Sequence, residues 1–108
     1  MLEKQIEKRV CDYARAGGLL VYKFTSPGRA AVPDRMMVNR FGHVFFIEFK
    51  REKAKPTVAQ TREHDRLLAR GLDVFVVDDV VKGKLIIDLM VNRNVNSRTT
   101  SLVPEESC

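Results

Sequence analysis

The sequence has no apolar run approaching the roughly 20 residues that a membrane-spanning helix requires. Its first residues, Met1 to Lys4, lack the apolar core of a signal peptide. The two cysteines, Cys11 and Cys108, have no metal-binding spacing, and we expect no disulfide between them. There are no internal repeats and no sign of a second domain. These absences predict one cytoplasmic domain, and 108 residues are enough to bury a real core.

Basic residues outnumber acidic ones by 19 to 14, which gives a net charge of +5. This excess favours a polyanionic partner, most often a nucleic acid. Many basic proteins bind no nucleic acid, so the charge by itself leaves the partner open.

Hydrophobic periodicity and turn residues predict an α/β fold with a small mixed sheet of about four strands flanked by helices. The strand–helix–strand unit in the second half predicts parallel pairing of the last two strands. The first helix is expected on one face of the sheet and the second on the other. Helices are predicted over 2–16 and over about 14 residues from Thr57, with a further short helix near 85–90. Strands are predicted over 19–24, 35–38, 43–50 and 72–77. We predict a domain over 1–91 and a polar, flexible tail over 92–108.

Two opposite charges, Glu48 and Lys50, lie in an almost wholly apolar predicted strand. Residues two apart share one face of a strand, so these side chains project together. A turn over 39–42 predicts an antiparallel hairpin that can bring Asp34 beside them. Two carboxylates there suit Mg²⁺ or Mn²⁺, and a lysine can orient water or stabilise charge on a phosphate. A plain Glu–Lys pair on an exposed strand end is an equally good interpretation of the pattern.

Other polar residues have both a structural and a functional interpretation. Gln60 is at the right spacing to close the N-terminus of the second helix, or it could face the same cleft. Glu7 fits a solvated helix edge. Both histidines, His43 and His64, lack a partner at ligand spacing and are expected to be exposed and structural, and hard oxygen ligands argue against zinc. The following basic residues could form a phosphate-contacting rim or a solvated surface: Lys23, Arg29, Arg51, Lys53 and Lys55.

The order Pro33-Asp34 and then Glu48-x-Lys50, with Glu48 fourteen positions after Asp34, resembles the PD-(D/E)xK nuclease superfamily. The turn Ser26-Pro27-Gly28 upstream and Thr57-x-x-Gln60 downstream look like its VRR-Nuc branch, whose short stand-alone members are common in phages and bacteria. The resemblance covers roughly 3–77. It departs from the family at Ala30-Ala31-Val32, where many relatives carry a glycine before Val-Pro-Asp.

The resemblance implies roles for five residues. Asp34 and Glu48 would be metal ligands, Lys50 the catalytic lysine, and Gln60 the glutamine beside the site. The pattern also includes an acidic residue on the first helix, for which Glu7 is our choice and Glu3 the alternative.

The implied function is a Mg²⁺- or Mn²⁺-dependent endonuclease that cuts DNA in the cytoplasm of a bacterium or phage-infected host. Stand-alone relatives resemble Holliday-junction resolvases and tend to be homodimers, which implies a branched DNA substrate. Two alternatives stay open: a nuclease for flaps or single-stranded ends, and a non-catalytic nucleic-acid-binding module on a nuclease-like fold.

Overall fold

The computed structural model describes residues 1–94, so most of the predicted tail lies outside the described residues. The elements in chain order are α1 (Glu3–Ala16), β1 (Leu20–Lys23), β2 (Arg35–Val38), β3 (Val44–Phe49), α2 (Val58–Ala69), β4 (Asp73–Val77) and α3 (Val80–Met90). Every predicted element is present, with ends that differ by a few residues.

The four strands form one sheet in the order β1-β2-β3-β4. The first three are antiparallel neighbours, and β3 and β4 pair in parallel, as the intervening helix predicted. The apolar sequence of β4 favours burial on both faces. That expectation is wrong, because β4 forms an edge of the sheet and its residues before Val77 are only partly buried.

The two faces of β3 have different surroundings: one face packs in the hydrophobic core, and the other carries Glu48. Phe45, Ile47 and Phe49 are buried in the main hydrophobic core, together with Ile6 and Val10 of α1. Glu48 points to the opposite face, because successive strand residues alternate. On that side it meets side chains of α2. The predicted arrangement of the first two helices on opposite faces is therefore confirmed.

The last helix packs against the first through a glycine. A Cβ atom built on Gly83 would lie only 2.5 Å from Cγ2 of Val10, so α3 approaches α1 more closely than any other residue type permits. Glycine lowers helix propensity, so Gly83 by itself disfavours a helix here. The helix forms nonetheless and begins at a cap in which Asp79 accepts a hydrogen bond from the Lys82 amide.

Candidate functional site

The register of the β2–β3 hairpin brings Asp34 to Glu48. Arg35 pairs with Ile47, so the next opposed pair along the antiparallel ladder is Asp34 and Glu48. Asp34 is held at this point by two hydrogen bonds. Its Oδ2 accepts from the Phe49 amide at 2.7 Å, and its carbonyl oxygen accepts from the Phe24 amide at 2.9 Å.

Glu48 is the most deeply buried carboxylate of the site, with a side chain only 3% exposed. Oε2 accepts a hydrogen bond from Nε2 of Gln60 at 3.0 Å and lies 3.8 Å from Nζ of Lys50. Burial is the main cause that raises the pKa of Glu48 to about 7, and the Asp34 carboxylate adds to it. Lys50 opposes this shift without cancelling it. In the folded protein the ionised form of Glu48 is therefore destabilised, because burial and the Asp34 charge outweigh the attraction of Lys50.

Gln60 performs both roles that its spacing allowed. Thr57 and Gln60 form a capping box. Thr57 Oγ1 accepts a hydrogen bond from the backbone N–H of Gln60, and Gln60 Oε1 accepts one from the backbone N–H of Thr57. The nitrogen of the Gln60 side-chain amide, Nε2, donates to Glu48. One side chain thus fixes the start of α2 and ties it to the carboxylate on β3.

The donor set fits a hard divalent cation. Glu48 Oε1 is buried and has no hydrogen-bond partner among residues 1–94, and a second carboxylate, Asp34, stands beside it. Carboxylate oxygens are what Mg²⁺ and Mn²⁺ prefer, and Mg²⁺ commonly takes only one or two of them, with water and phosphate oxygens completing its shell. Within the same described range, no group of three or more His, Cys, Asp and Glu side chains is arranged to hold a metal ion. Asp34 and Glu48 would then be the carboxylates that hold such a cation.

The two acidic candidates on α1 differ in their surroundings. Glu7 is engaged by β2, since its Oε2 accepts from Nε of Arg35 at 2.8 Å. Glu3, one turn earlier, adds to the charges that raise the pKa of Glu48, whereas Glu7 is not among those charges. Both line a cavity of about 440 Å³ that also reaches Asp34. The structure thus brings Asp34, Glu48, Lys50 and Gln60 together and leaves Glu7 in an ion pair at the margin.

The basic rim residues fall into two groups. Lys23 and Arg29 line the cavity that reaches Asp34, and Arg29 donates to Glu63 of α2 at 3.3 Å. The other three, Arg51, Lys53 and Lys55, are exposed in the loop between β3 and α2. That loop is fastened by the Lys53 amide, which donates to Asp78, and Lys53 takes a positive φ of 66°.

Both histidines contradict the expectation of exposure. His43 is largely buried and lies 2.9 Å from Asp73 on the neighbouring strand. His64 is only 6% exposed, and its Nε2 faces Glu48 Oε1 at 3.7 Å. Sequence reasoning missed His64 because it sought metal-ligand spacing. The available signal was its position four residues after Gln60, which places both on one helix face.

Glu48 is buried, the partly buried Asp34 stands beside it, and Lys50 follows two residues after Glu48. On a mixed sheet flanked by helices, this arrangement defines a nuclease-like fold of the PD-(D/E)xK class. Comparison with solved structures agrees. A chain described as "VRR_NUC domain" superposes with a TM-score of 0.75 at 34% identity, covering 80% of this chain and 94% of its own. A second, "VRR_NUC domain protein", has a TM-score of 0.68 at 15% identity, covers 82% of this chain and 86% of its own, and supports the fold alone.

The sequence is also 46% identical over 76 residues to "Putative nuclease p44" of Acyrthosiphon pisum secondary endosymbiont phage 1, covering 70% of this chain and 82% of that protein. No protein-family model matches. The extent of these similarities places the chain in the VRR-Nuc family of the PD-(D/E)xK nuclease superfamily, as its motifs indicated. None of the helices within residues 1–94 combines the length and apolar character that crossing a bilayer demands.

Proposed function

We propose that this protein is a Mg²⁺- or Mn²⁺-dependent endonuclease that hydrolyses DNA phosphodiester bonds. One observation carries the proposal: the buried Glu48 has an unpartnered oxygen, with a second carboxylate and a lysine beside it. Burying a carboxylate in this way is costly, and a divalent cation offsets that cost. Functional sites are where such costly arrangements are retained.

Asp34 and Glu48 would hold the cation, and Gln60 keeps the Glu48 carboxylate in place. When bound, the cation supplies positive charge next to the phosphate and lowers the pKa of water. Lys50, whose side chain is 15% exposed, projects from the same face as Glu48. It positions or deprotonates the attacking water, or stabilises negative charge on the phosphate. Attack in line with the leaving oxygen then breaks the phosphodiester bond.

DNA would lie along the basic loops at this end of the sheet. Lys23 and Arg29 line the cavity that reaches Asp34, and the exposed 51–55 loop directly follows Lys50. Contacts of this kind go to phosphates and carry little sequence information. Our preferred substrate is branched DNA cut by a homodimer, since a two-fold assembly suits symmetric cuts in a four-way junction.

The central test incubates the protein with labelled four-way junction, flap and linear duplex in Mg²⁺, Mn²⁺ or EDTA. We expect metal-dependent cutting, greatest on the junction. Lys50→Ala should lower the rate by about 100-fold or more while DNA binding is retained. The matched control is Lys84→Ala, because Lys84 lies on α3 over the Tyr13 ring and should leave cutting unchanged.

Each alternative has its own outcome in this assay. Binding without cutting in every metal would refute the enzyme and favour a non-catalytic module. Preferential cutting of flaps or single-stranded ends would refute the junction preference and leave the nuclease intact. For the homodimer, light scattering should give twice the mass of one chain, and a monomer both free and on DNA would contradict it.

The choice between the two α1 carboxylates can be tested in the same assay. Glu3→Gln should reduce cutting and Mn²⁺ affinity more than Glu7→Gln, because Glu3 contributes to the potential at Glu48 whereas Glu7 is neutralised by Arg35. A larger loss of Mn²⁺ affinity in Glu7→Gln would instead support Glu7, the residue chosen from the family resemblance, as the α1 acidic residue that serves the cation.

A further inference from the structure

Helix α2 presents two nitrogen-bearing side chains to one carboxylate. Gln60 and His64 are four residues apart and share a helix face. Gln60 Nε2 donates to Glu48 Oε2 at 3.0 Å, and His64 Nε2 lies 3.7 Å from Oε1 of the same carboxylate. Each oxygen of Glu48 therefore faces a different residue of α2.

The histidine side of this arrangement is unsatisfied. His64 Nε2 and Glu48 Oε1 are both fully buried, and within residues 1–94 neither has a hydrogen-bond partner. An unsatisfied buried polar group costs about 1–3 kcal/mol, so two of them facing each other are not explained by stability. A closer approach of about 0.5 Å would bring the two atoms within hydrogen-bonding distance.

A leucine of similar size would fill the same space with no polar atom to satisfy, so packing does not require a histidine here. A neutral imidazole has one N–H donor and can present it at Nε2. Carboxylates that bind metals are commonly held by such outer hydrogen bonds, and these orient the oxygens and tune affinity.

We propose that His64 is a positioning residue that donates from Nε2 to Glu48 Oε1 and, with Gln60 on Oε2, orients the carboxylate for binding a divalent cation. Each carboxylate oxygen has a second lone pair, so a hydrogen bond and a metal bond can share one oxygen. The inference rests on the metal-dependent function proposed above. His64 acts through Glu48 and touches neither DNA nor the attacking water.

The test measures Mn²⁺ binding to the full chain without DNA, by isothermal titration calorimetry. His64→Gln retains an amide nitrogen that can reach the position of Nε2. His64→Asn carries the same amide on a shorter side chain that falls short of Glu48, and His64→Leu removes the donor. His43→Leu is the matched control, because His43 precedes β3 whereas Glu48 lies near its end.

We expect His64→Leu and His64→Asn to weaken Mn²⁺ binding about 10- to 100-fold, and His64→Gln to restore it to within about threefold of the wild type. Thermal unfolding in EDTA identifies any variant that fails to fold. If His64→Leu does not fold, the comparison of His64→Gln with His64→Asn tests the positioning role. These two variants carry the same amide and differ only in whether it extends far enough to contact Glu48.

Unchanged affinity in all three variants would overturn the positioning role, and so would equal weakening by Gln and Leu. A wild type that binds no Mn²⁺ would instead refute the proposed metal-dependent function, and this inference with it. The two failures are therefore distinguishable from the wild-type titration alone.

Discussion

Replacing Glu48 by glutamine should stabilise the metal-free protein above neutral pH. The substitution keeps the size of the side chain and an oxygen that can accept from Gln60, and it removes a charge that is only 3% exposed to water. Wild-type stability is reduced wherever the folded protein must ionise Glu48, because its pKa is raised to about 7 from an ordinary 4.5. Removing that ionisation removes the penalty.

The magnitude and sign follow from the two pKa values. Below pH 4.5 the group is protonated in both states and contributes nothing. Between about 4.5 and about 7 the unfolded chain ionises first, so wild-type stability falls as pH rises, and above about 7 the full penalty persists. At 1.36 kcal/mol for each pH unit, the penalty is about 3 kcal/mol. Lys50 attracts the ionised carboxylate, so the penalty would be larger without it.

Urea unfolding in EDTA at pH 4.5, 6 and 8 measures this effect. At pH 8 the midpoint of Glu48→Gln should exceed that of the wild type by about 1 to 2 M, for a slope of about 2 kcal/mol per molar urea. The difference should shrink at pH 6 and vanish near pH 4.5. The control is Glu52→Gln, an exposed carboxylate, which should change stability by less than about 0.5 kcal/mol at every pH.

A destabilised Glu48→Gln at pH 8, or a gain of equal size at all three pH values, would refute the reasoning. Divalent metal provides a second comparison. Mn²⁺ at 100 times its dissociation constant should stabilise the wild type by about 2.7 kcal/mol and the variant much less.

Two further substitutions test how the elements around the site are held. Gly83→Ala should destabilise the protein by about 1–3 kcal/mol in urea unfolding, because its new Cβ would meet Val10 at 2.5 Å. Gly28→Ala, where nothing lies within 4 Å, should be close to neutral, and equal effects of the two would contradict the packing argument. Thr57→Ala should cost about 1 kcal/mol and lower the melting temperature by about 4–8 °C, because the first turn of α2 loses its cap. No change in the melting temperature would show that the cap contributes little to α2.

Much of the site could be predicted from local patterns. The alternation of a strand places Glu48 and Lys50 on one face whatever surrounds them, and the turn over 39–42 joins two strands whose register opposes Asp34 to Glu48. The capping-box spacing of Thr57 and Gln60 likewise depends only on helix geometry near its first turn.

Contacts between elements distant in sequence could not be predicted in this way. His64 looked like a surface histidine, and its burial against Glu48 depends on how α2 crosses the sheet. Gly83 lowers the helix propensity of its segment, whereas its role at the close contact of α3 with Val10 of α1 depends on tertiary packing. The ion pair of Glu7 with Arg35 depends on where α1 lies over β2, a position that helical spacing does not specify.

The chain by itself therefore determined the order of elements, the family motif and the carboxylate–lysine pair, because these follow from strand and helix periodicity and from short turns. The protonation of Glu48, its unpartnered oxygen and the two side chains of α2 that face it depend on packing across the sheet. These properties of Glu48 depend on its burial and on the charges that the fold brings near it, and local periodicity predicts neither.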